Sequence, residues 1–278
     1  MRTKWAVFLI FCAYVMALAA LTAPARAGEE ESVRLPVIMY HHINPDKARS
    51  GDYVITPETL ESDFKYLRDN GCTAISAREL AAWERGEGKL PDKPVLLTFD
   101  DAQESFREYA LPLLEEYGMC AVVAVVGEYA DEYTASGDEN PAYAYMSWEA
   151  IGEIAASGRV EIASHTQAMH NAKGARRGCA INPGESEADY AAALGSDLET
   201  VAESIERATG ERPYIFAYPF GFVCREAAEL LSGSGYSVAM TCEQRVNILT
   251  HEPGELLWLG RFNRPAGISS NSFFSSII

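Results

Sequence analysis

The chain has 278 residues, of which 48% are hydrophobic, and this length and composition suit one globular domain with a sizeable core. Its 40 acidic residues outnumber its 23 basic ones, which gives a formal net charge of −17 at pH 7. Such an acidic surface excludes unspecific binding to nucleic acid and to anionic lipid, because both carry negative charge, but it tolerates a neutral or cationic polymer.

Residues 1–27 have the features of an export signal. MRTKW carries Arg2 and Lys4, an uncharged apolar run follows, and APARA ends at Ala27. A basic start, an apolar middle and an A-x-A end predict a signal peptide cut after Ala27, with residues 28–278 as the mature domain. The alternative is a retained membrane anchor, although the run is near the short end of the ~17–25 residues that span a bilayer. We therefore expect an exported monomer that meets a membrane only through an uncleaved signal.

The cysteines after the signal are unlike those of a small zinc domain. They are odd in number and include no C-x-x-C pair, which argues against a zinc ribbon or a redox pair. We expect most of them to be buried free thiols, although Cys224 and Cys242 could form a bridge in an oxidising compartment.

Amphipathic helices and short apolar strands follow one another from Leu35 onward. The first helix, TPETLESDFKYLRDNG, has Thr56 as N-cap and Pro57 at its first position, without a capping box because Thr59 stands where Glu or Gln is needed. Further helices are predicted for ISARELAAWERGE, SFREYALPLLEEYG, SWEAIGEIAASG, SDLETVAESIERATG and FVCREAAELLSGSG. The strands between them are predicted for RLPVIMY, KPVLLTF, MCAVVAVVG, RVEIASH, YIFAY and YSVAMTC.

This alternation of strand and helix predicts an α/β fold built from parallel strands covered by helices. Residues 171–191 have no clear periodicity and are predicted to form a long surface loop. The tail, ISSNSFFSSII, is also poorly patterned.

Histidines and carboxylates gather where predicted strands end. In parallel β/α folds the carboxyl ends of the strands meet at one edge, so groups placed there are brought together. The residues at these ends are His41 and His42 after VIMY, Asp100 and Asp101 after PVLLTF, His165 after VEIAS with His170 a short turn later, and Pro219, Phe220 and Gly221 after IFAY.

The spacing of His165 and His170 suits neither a helix nor a strand, because five residues place two side chains on different faces of either element. A chain reversal between them can bring both rings to one point. Two imidazoles with a carboxylate are a common ligand set for a divalent metal that keeps an open position for water. Each histidine alone is more often a surface or core residue, and the pair Asp100 and Asp101 could instead cap the following helix.

Three ordered motifs, VLLTFDD, SHTQAMH and FAYPFG, resemble the polysaccharide deacetylases of carbohydrate esterase family 4. VIMYHHI and LGRFNRP resemble the branch that deacetylates poly-N-acetylglucosamine, and the resemblance runs from about residue 35 to about residue 265. It implies a distorted, incomplete (β/α) barrel of mainly parallel strands. It also implies a divalent metal held by Asp101, His165 and His170, with zinc expected first and cobalt, nickel or manganese as alternatives.

The resemblance assigns further roles around that metal. Asp100 would be the general base and His41 the general acid, with His42 as a close competitor. A backbone N–H near Phe220, in the segment that begins at Tyr218 and Pro219, would hold the oxyanion of the substrate.

Two positions depart from the usual family pattern. Ala102 stands where the family usually has glycine. The usual arginine before proline is absent, which leaves Arg261 as the candidate to orient Asp100, with a surface ion pair as its alternative role. Trp148, Trp258 and Phe222 could line a sugar groove by stacking, although large aromatic residues are more often core.

The expected activity is metal-dependent hydrolytic deacetylation of an N-acetylated cell-surface glycan, with peptidoglycan or poly-N-acetylglucosamine favoured over chitin. One alternative is an O-acetyl esterase that acts on a polysaccharide such as acetylxylan, since the same site would serve an ester. Another is a glycan-binding wall protein that has lost turnover, for which the departure at Ala102 is the one argument.

Overall fold

The structure, a computed structural model, describes residues 32–174 and 176–278, so the predicted signal peptide lies outside the described residues. The strands of the described part are β1 Val33–Leu35, β2 Val37–Tyr40, β3 His42–Ile43, β4 Val54–Ile55, β5 Thr73–Ala74, β6 Pro94–Phe99, β7 Ala121–Val125, β8 Val160–Ser164, β9 Ile215–Ala217, β10 Val238–Met240, β11 Asn247–Leu249 and β12 Phe262–Asn263.

Helices follow most of these strands. They are α1 Pro57–Asp69, α2 Ala77–Glu84, α3 Leu111–Tyr117, α4 Gly127–Ser136, α5 Trp148–Ala156, α6 Glu187–Thr209, α7 Arg225–Gly233 and α8 Ser270–Phe274. A π-helical turn, Phe106–Ala110, leads directly into α3, and short 3-10 turns lie at Lys47–Arg49, Pro219–Gly221 and Glu255–Trp258. None of these helices is long and apolar enough to cross a bilayer.

The main sheet has the strand order β10-β9-β8-β7-β6-β2-β12, with β5 paired to β6, and every one of these pairs is parallel. Two small sheets stand apart from it, an antiparallel pair of β1 with β11 and a parallel pair of β3 with β4. Parallel pairing requires crossover connections, and the helices between the strands provide them.

The two ends of the main sheet are joined by residues 259–263, which we call the closing segment. Leu259 forms a parallel bridge to Met240 in β10, and β12 pairs with β2 a few residues later. The sheet therefore curls until its first and last strands are linked through one irregular stretch. The predicted distorted, incomplete barrel of parallel strands is confirmed.

Alternation along the strands divides the core into an outer and an inner layer. In β6, Val95, Leu97 and Phe99 pack against helices on the outside. Leu96 packs instead with inward-facing residues of other strands, among them Val122 of β7. Since successive side chains of a strand point to opposite faces, this register decides which groups at the strand ends face the barrel interior.

Several local predictions are confirmed. Thr56 caps α1 by accepting a hydrogen bond from the Thr59 N–H, and Ser147 caps α5 in the same way. The five cysteines of the described part are free, as expected, and the alternative bridge between Cys224 and Cys242 does not form. The expectation that most of them are buried is wrong, because Cys179 is buried whereas the other four are partly exposed.

Other local predictions are wrong. Helix α4 was not predicted, and α6 begins at Glu187, inside the stretch predicted to be a loop. The tail forms α8, which buries Phe274 against the helices of the outer core. A capping box also joins Ser76 and Glu79 at the start of α2.

Candidate active site and metal centre

Asp100 faces the barrel interior because of its register on β6. It lies an even number of residues after Leu96 and Thr98, whose side chains point inward. Its N–H donates to the Tyr40 carbonyl at 3.0 Å, so the chain still follows the sheet at this point. Asp100 is 3% exposed.

The chain turns sharply after Asp100. Asp101 and Ala102 both have positive φ values, 71° and 51°, in the left-handed region that favours glycine. This turn lifts the Asp101 carboxylate out of the strand and directs it across the edge of the sheet. A glycine, which the family resemblance led us to expect at position 102, would adopt this conformation without strain, and Ala102 adopts it with a side chain.

His165 and His170 meet at a chain reversal, as the sequence predicts. His165 continues the inward register of Ala163 at the end of β8. The next residue, Thr166, has a φ of 75°, which begins the reversal. The ring centroids of His165 and His170 are 4.9 Å apart.

Asp101 completes a cluster with these two rings. Its Oδ1 lies 3.7 Å from His165 Nε2 and 3.3 Å from His170 Nε2, and one donor atom from each residue lies within 4.8 Å of the others. The cluster contains two imidazole nitrogens and one carboxylate oxygen. That donor set suits a divalent cation with an open position.

A hydrogen bond holds Nδ1, the ring nitrogen that points away from the cluster, in both His165 and His170. His165 Nδ1 donates to the Ala217 carbonyl at 2.7 Å, which leaves Nε2 with its lone pair directed at the cluster. His170 Nδ1 pairs with the Tyr129 hydroxyl at 3.2 Å. Burial lowers the pKa of His165, and it lowers that of His170 to about 4, so both rings are neutral ligands at pH 7. The residues present therefore fit a bound cation.

The surroundings of Asp101 disfavour its ionised form. Burial, followed by the charge of the adjacent Asp100, raises the pKa of Asp101 to about 7. A positive ion at the cluster would remove this penalty, because it compensates both carboxylates.

Asp100 is held by Arg261 in a buried, bidentate ion pair. Arg261 donates from Nη1 to Oδ1 at 2.7 Å and from Nη2 to Oδ2 at 2.8 Å, and its side chain is fully buried. Burial alone would raise the pKa of Asp100, but the guanidinium of Arg261 outweighs it and holds that pKa well below its usual range. The predicted alternative, a surface ion pair of Arg261, is wrong.

The two consecutive histidines have different surroundings. His41 Nε2 lies 4.0 Å from Asp100 Oδ2, and the His41 ring packs edge-on against Tyr53. His42 is held on both nitrogens, by Ser105 Oγ and Asn44 Nδ2, each at 3.2 Å. Burial lowers the pKa of His41 to about 4, against the opposing charge of Asp100. His41 therefore lies with the groups around Asp100, whereas both ring nitrogens of His42 are occupied by hydrogen bonds to neighbouring side chains.

The segment from Tyr218 to Phe220 reaches the site only at its end. Alternation along β9 points Phe216 and Tyr218 outward into a core against α6, and Pro219 is also buried. Phe220 has a φ of 57°, is 44% exposed, and places its ring 4.5 Å from that of His170. The structure thus brings the side chain of Phe220 to the site, but not those of Tyr218 and Pro219.

A cavity of about 910 Å³ is lined by Asp100, His41, Phe220 and the cluster of Asp101, His165 and His170. Its described lining includes both catalytic candidates, the three-residue cluster and aromatic side chains, and it continues toward the C-terminal tail. It does not include Trp148, Trp258 or Phe222 among the described residues, so the predicted stacking roles of these three are not met. The lining residues nearest the chemistry are His41, His42, Tyr53, Asp100, Asp101, Gln103, His165, His170 and Phe220.

A second buried ion pair was missed from the sequence. Arg264 donates to both oxygens of Asp63 in α1, at 2.8 and 3.0 Å, and the Tyr40 hydroxyl bonds the same carboxylate at 3.2 Å. The arginines of LGRFNRP thus each meet a buried aspartate. The spacing R-x-x-R near the end of the chain is a visible signal, but its partners lie far away in sequence.

Comparisons with known proteins agree with this geometry. The family model described as polysaccharide deacetylase matches residues 87–239. The poly-β-1,6-N-acetyl-D-glucosamine N-deacetylase of Escherichia coli K12 is 30% identical over 224 residues, which cover 74% of this chain and 33% of that protein. The chain thus spans about a third of the length of this relative.

Two solved structures share the fold. The de-N-acetylase of Aggregatibacter actinomycetemcomitans superposes with a TM-score of 0.74 at 27% identity, over 88% of this chain and 98% of that one. IcaB of Ammonifex degensii superposes with a TM-score of 0.69 at 26% identity, over 84% and 92%. The matched family model covers more than half of the sequence, including Asp100, Asp101, His165 and His170. The chain belongs to the polysaccharide deacetylase family.

Proposed function

We propose that this protein removes acetyl groups from an N-acetylated glycan by metal-assisted hydrolysis, and that poly-β-1,6-N-acetylglucosamine is the first substrate to test. The observation that carries the proposal is the position of Asp100. It is a carboxylate kept ionised by Arg261, beside a cluster of three metal-binding groups, in one open cavity.

Asp101, His165 and His170 would hold the metal, and zinc is the ion that their nitrogen and oxygen donors suit best, with cobalt, nickel and manganese as alternatives. A bound divalent cation supplies Lewis acidity, which polarises the acetyl carbonyl and lowers the pKa of water. The neutral state of both imidazoles at pH 7 supports this assignment.

Asp100 would act as the general base. It accepts a proton from the attacking water while the water oxygen bonds the acetyl carbon. The Arg261 pair favours the ionised carboxylate before this step and restrains its orientation, because a bidentate contact fixes both oxygens. The backbone near Phe220 would stabilise the oxyanion.

His41 would deliver a proton to the departing nitrogen. Its Nε2 is 4.0 Å from Asp100 Oδ2, which is longer than a hydrogen bond. The proton taken by Asp100 would therefore reach the imidazole through a bridging water or the substrate, and the imidazole would pass it to the amine as the carbon–nitrogen bond breaks. The low pKa of the buried ring favours release of that proton. The products are acetate and a glycan amine.

The cavity supports a sugar polymer as substrate. Tyr53 and Phe220 expose their rings on either side of the catalytic groups, 59% and 44% respectively. Aromatic faces of this kind offer apolar contact to a neutral pyranose ring. The E. coli relative acts on poly-β-1,6-N-acetyl-D-glucosamine according to its name. Export through residues 1–27 would place the protein where such a polymer lies.

Acetate release by zinc-restored protein tests the proposal. The substrates are acetylated oligomers of β-1,6-glucosamine, peptidoglycan, chitin oligomers and acetylxylan, each offered to the metal-free protein as well. The matched variants are Asp100→Asn, which removes the base, and Asp92→Asn, which makes the same change at an exposed position. We expect release from an N-acetylated glycan that requires metal and Asp100, and that Asp92→Asn leaves intact.

Other results would replace the proposal. Release from acetylxylan alone would establish an O-acetyl esterase. Glycan binding without acetate release, equal in wild type and Asp100→Asn, would establish a binding protein that has lost turnover.

A further inference from the structure

The reversal between His165 and His170 is held from two sides. On one side the first N–H groups of α4 bond its carbonyls, with Gly127 donating to Thr166 at 3.0 Å and Glu128 donating to Gln167 at 2.7 Å. These bonds satisfy helix N-terminal donors that have no partner within the helix. They fix the carbonyl face of the reversal.

On the other side a single carboxylate from α6 bonds the opposite face. Asp197 Oδ1 accepts from the Gln167 N–H at 2.7 Å, and Asp197 Oδ2 accepts from the Ala168 N–H at 2.8 Å. Asp197 thus accepts hydrogen bonds from two consecutive backbone N–H groups between His165 and His170, whereas the backbone N–H groups of α4 bond carbonyls of this stretch. Its own helix is packed against α5 and α7, so the carboxylate projects from a rigid element.

We propose that Asp197 is a positioning residue for the metal centre: by fixing the amides of residues 167 and 168, it sets His170 at the distance from His165 that metal binding requires. This inference rests on the proposed metal-dependent function. Asp197 does not itself belong to the cluster of Asp101, His165 and His170. It acts through the backbone rather than on the metal.

The free energy needed to order the reversal explains why Asp197 would affect metal binding. His165 is anchored at the end of a buried strand, with its N–H bonded to Val125 at 2.8 Å. His170 lies beyond the reversal, and its side chain is held by one hydrogen bond to Tyr129 and by contact with the half-exposed ring of Phe220. A metal that binds a loosened reversal must order those residues at the moment of binding, so part of the binding free energy is lost.

Zinc affinity of the purified full chain tests the proposal without any substrate. Zinc is titrated against a chromophoric chelator into wild type, Asp197→Asn, Asp197→Ala and Glu203→Gln. Asp197→Asn keeps the shape but replaces one acceptor by a donor, and Glu203→Gln removes a charge at an exposed position of the same helix. We expect zinc to dissociate about 10- to 100-fold more readily from both Asp197 variants, as for other groups that orient metal ligands. We expect Glu203→Gln to match wild type.

Thermal unfolding of the metal-free variants separates positioning from general stability. If Asp197→Ala does not fold, the near-isosteric Asp197→Asn carries the test. An Asp197→Asn protein that is less stable without metal yet binds zinc as tightly as wild type would overturn the inference and leave the proposed function standing. A wild type that binds no zinc would instead overturn the proposed metal centre itself.

Discussion

Arg261 and Asp100 face each other through two short hydrogen bonds, 2.7 and 2.8 Å long, inside the barrel, where Arg261 is fully buried and Asp100 is 3% exposed. A pair of this kind contributes little net stability by itself, because desolvation of both charges opposes their attraction. Its consequence here is electrostatic, since it keeps a buried carboxylate ionised.

Replacing Arg261 is expected to move the pH dependence of hydrolysis. In Arg261→Gln the burial of Asp100 is no longer compensated, so the pKa of Asp100 rises and the base is protonated at a higher pH than in wild type. We expect the acid limb of kcat/KM to shift upward, with activity at pH 7 reduced at least about tenfold. The measurement is kcat/KM for acetate release between pH 5 and pH 9, at saturating zinc.

Two further variants support this test. Arg78→Gln removes an arginine from an exposed pair with Glu211 and should leave the profile unchanged. Arg261→Lys keeps the charge and is the variant to use if the glutamine protein does not fold, since uncoupling a buried pair costs about 3–5 kcal/mol. An unshifted acid limb in a folded Arg261 variant would show that another group sets the charge of Asp100.

The histidines at the end of β2 should differ in their effect on turnover. His41→Gln removes the ring next to Asp100, so we expect kcat to fall by about 10²–10⁴, the usual contribution of a general acid or base. His42→Gln breaks bonds to Ser105 and Asn44, which should lower the unfolding temperature more than kcat. Single-turnover rates and thermal unfolding of both variants decide between them. The reverse order of effects on kcat would make His42 the acid.

Metal-free protein should lose stability as pH rises through the range in which Asp101 ionises. The pKa of Asp101 is about 7 in the folded chain, against about 3.9 for an unperturbed aspartate. The folded chain therefore binds this proton more tightly than the unfolded chain, so the free energy of unfolding falls between about pH 4 and about pH 7. Bound zinc should reverse the loss.

Urea unfolding in a chelating buffer at several pH values measures this effect, with Asp101→Asn as the reference protein. The difference between the two proteins isolates the Asp101 contribution. The free energy of unfolding of the wild type, relative to that of Asp101→Asn, should fall steadily up to about pH 7 and then stay constant. A pH-independent difference would mean that Asp101 is ionised throughout in the folded, metal-free chain.

Ala102 should tolerate glycine but not a β-branched residue. A φ of 51° costs an alanine about 1–2 kcal/mol, and glycine avoids this strain. Glycine instead loses the burial of one methyl group, about 0.8 kcal/mol, and increases the entropy of the unfolded chain. We expect Ala102→Gly to change stability by less than about 1 kcal/mol. Ala102→Val should destabilise by more than about 2 kcal/mol, because valine is strained at positive φ and has no room in the core.

Chemical denaturation of the metal-free variants measures these changes. Ala192→Val, at an exposed position of α6, is the control and should cost about 0.5 kcal/mol or less. Equal effects of valine at positions 102 and 192 would contradict a strained turn at Ala102.

The sequence predicted those parts of the fold that depend on local patterns. Apolar strands such as PVLLTF and VEIAS, and caps such as Thr56, depend on residues close in the chain, and the structure confirms them. The convergence of Asp101 with His165 and His170 followed from one rule about parallel strands, that their carboxyl ends share an edge. The capping box of Ser76 and Glu79 also has a local signature, the Ser-x-x-Glu spacing in SARE, which the helix prediction did not use.

The parts that could not be predicted depend on contacts between distant residues. Helix α4 carries no apolar stripe, because only Gly127 and Ala130 are buried along it. Arg261 meets Asp100 across 161 positions. The sequence named it as the candidate to orient Asp100 because the usual arginine is absent, but no local pattern distinguished it from an arginine on the surface. Asp197 is likewise an ordinary polar residue of a helix until its two amide partners are seen.

The closing segment also carries the group that keeps the proposed catalytic base ionised. A nascent chain that has emerged only through β10 already holds Asp100, Asp101, His165 and His170, but the guanidinium that ionises Asp100 comes later, within residues 259–263. This stretch joins Met240 on one side to Ile38 on the other, so the contact that lowers the pKa of Asp100 depends on the same residues that close the sheet. In the proposed mechanism, a chain that ends before residue 259 would therefore carry the three candidate metal-binding residues and Asp100 but lack the guanidinium that keeps Asp100 ionised.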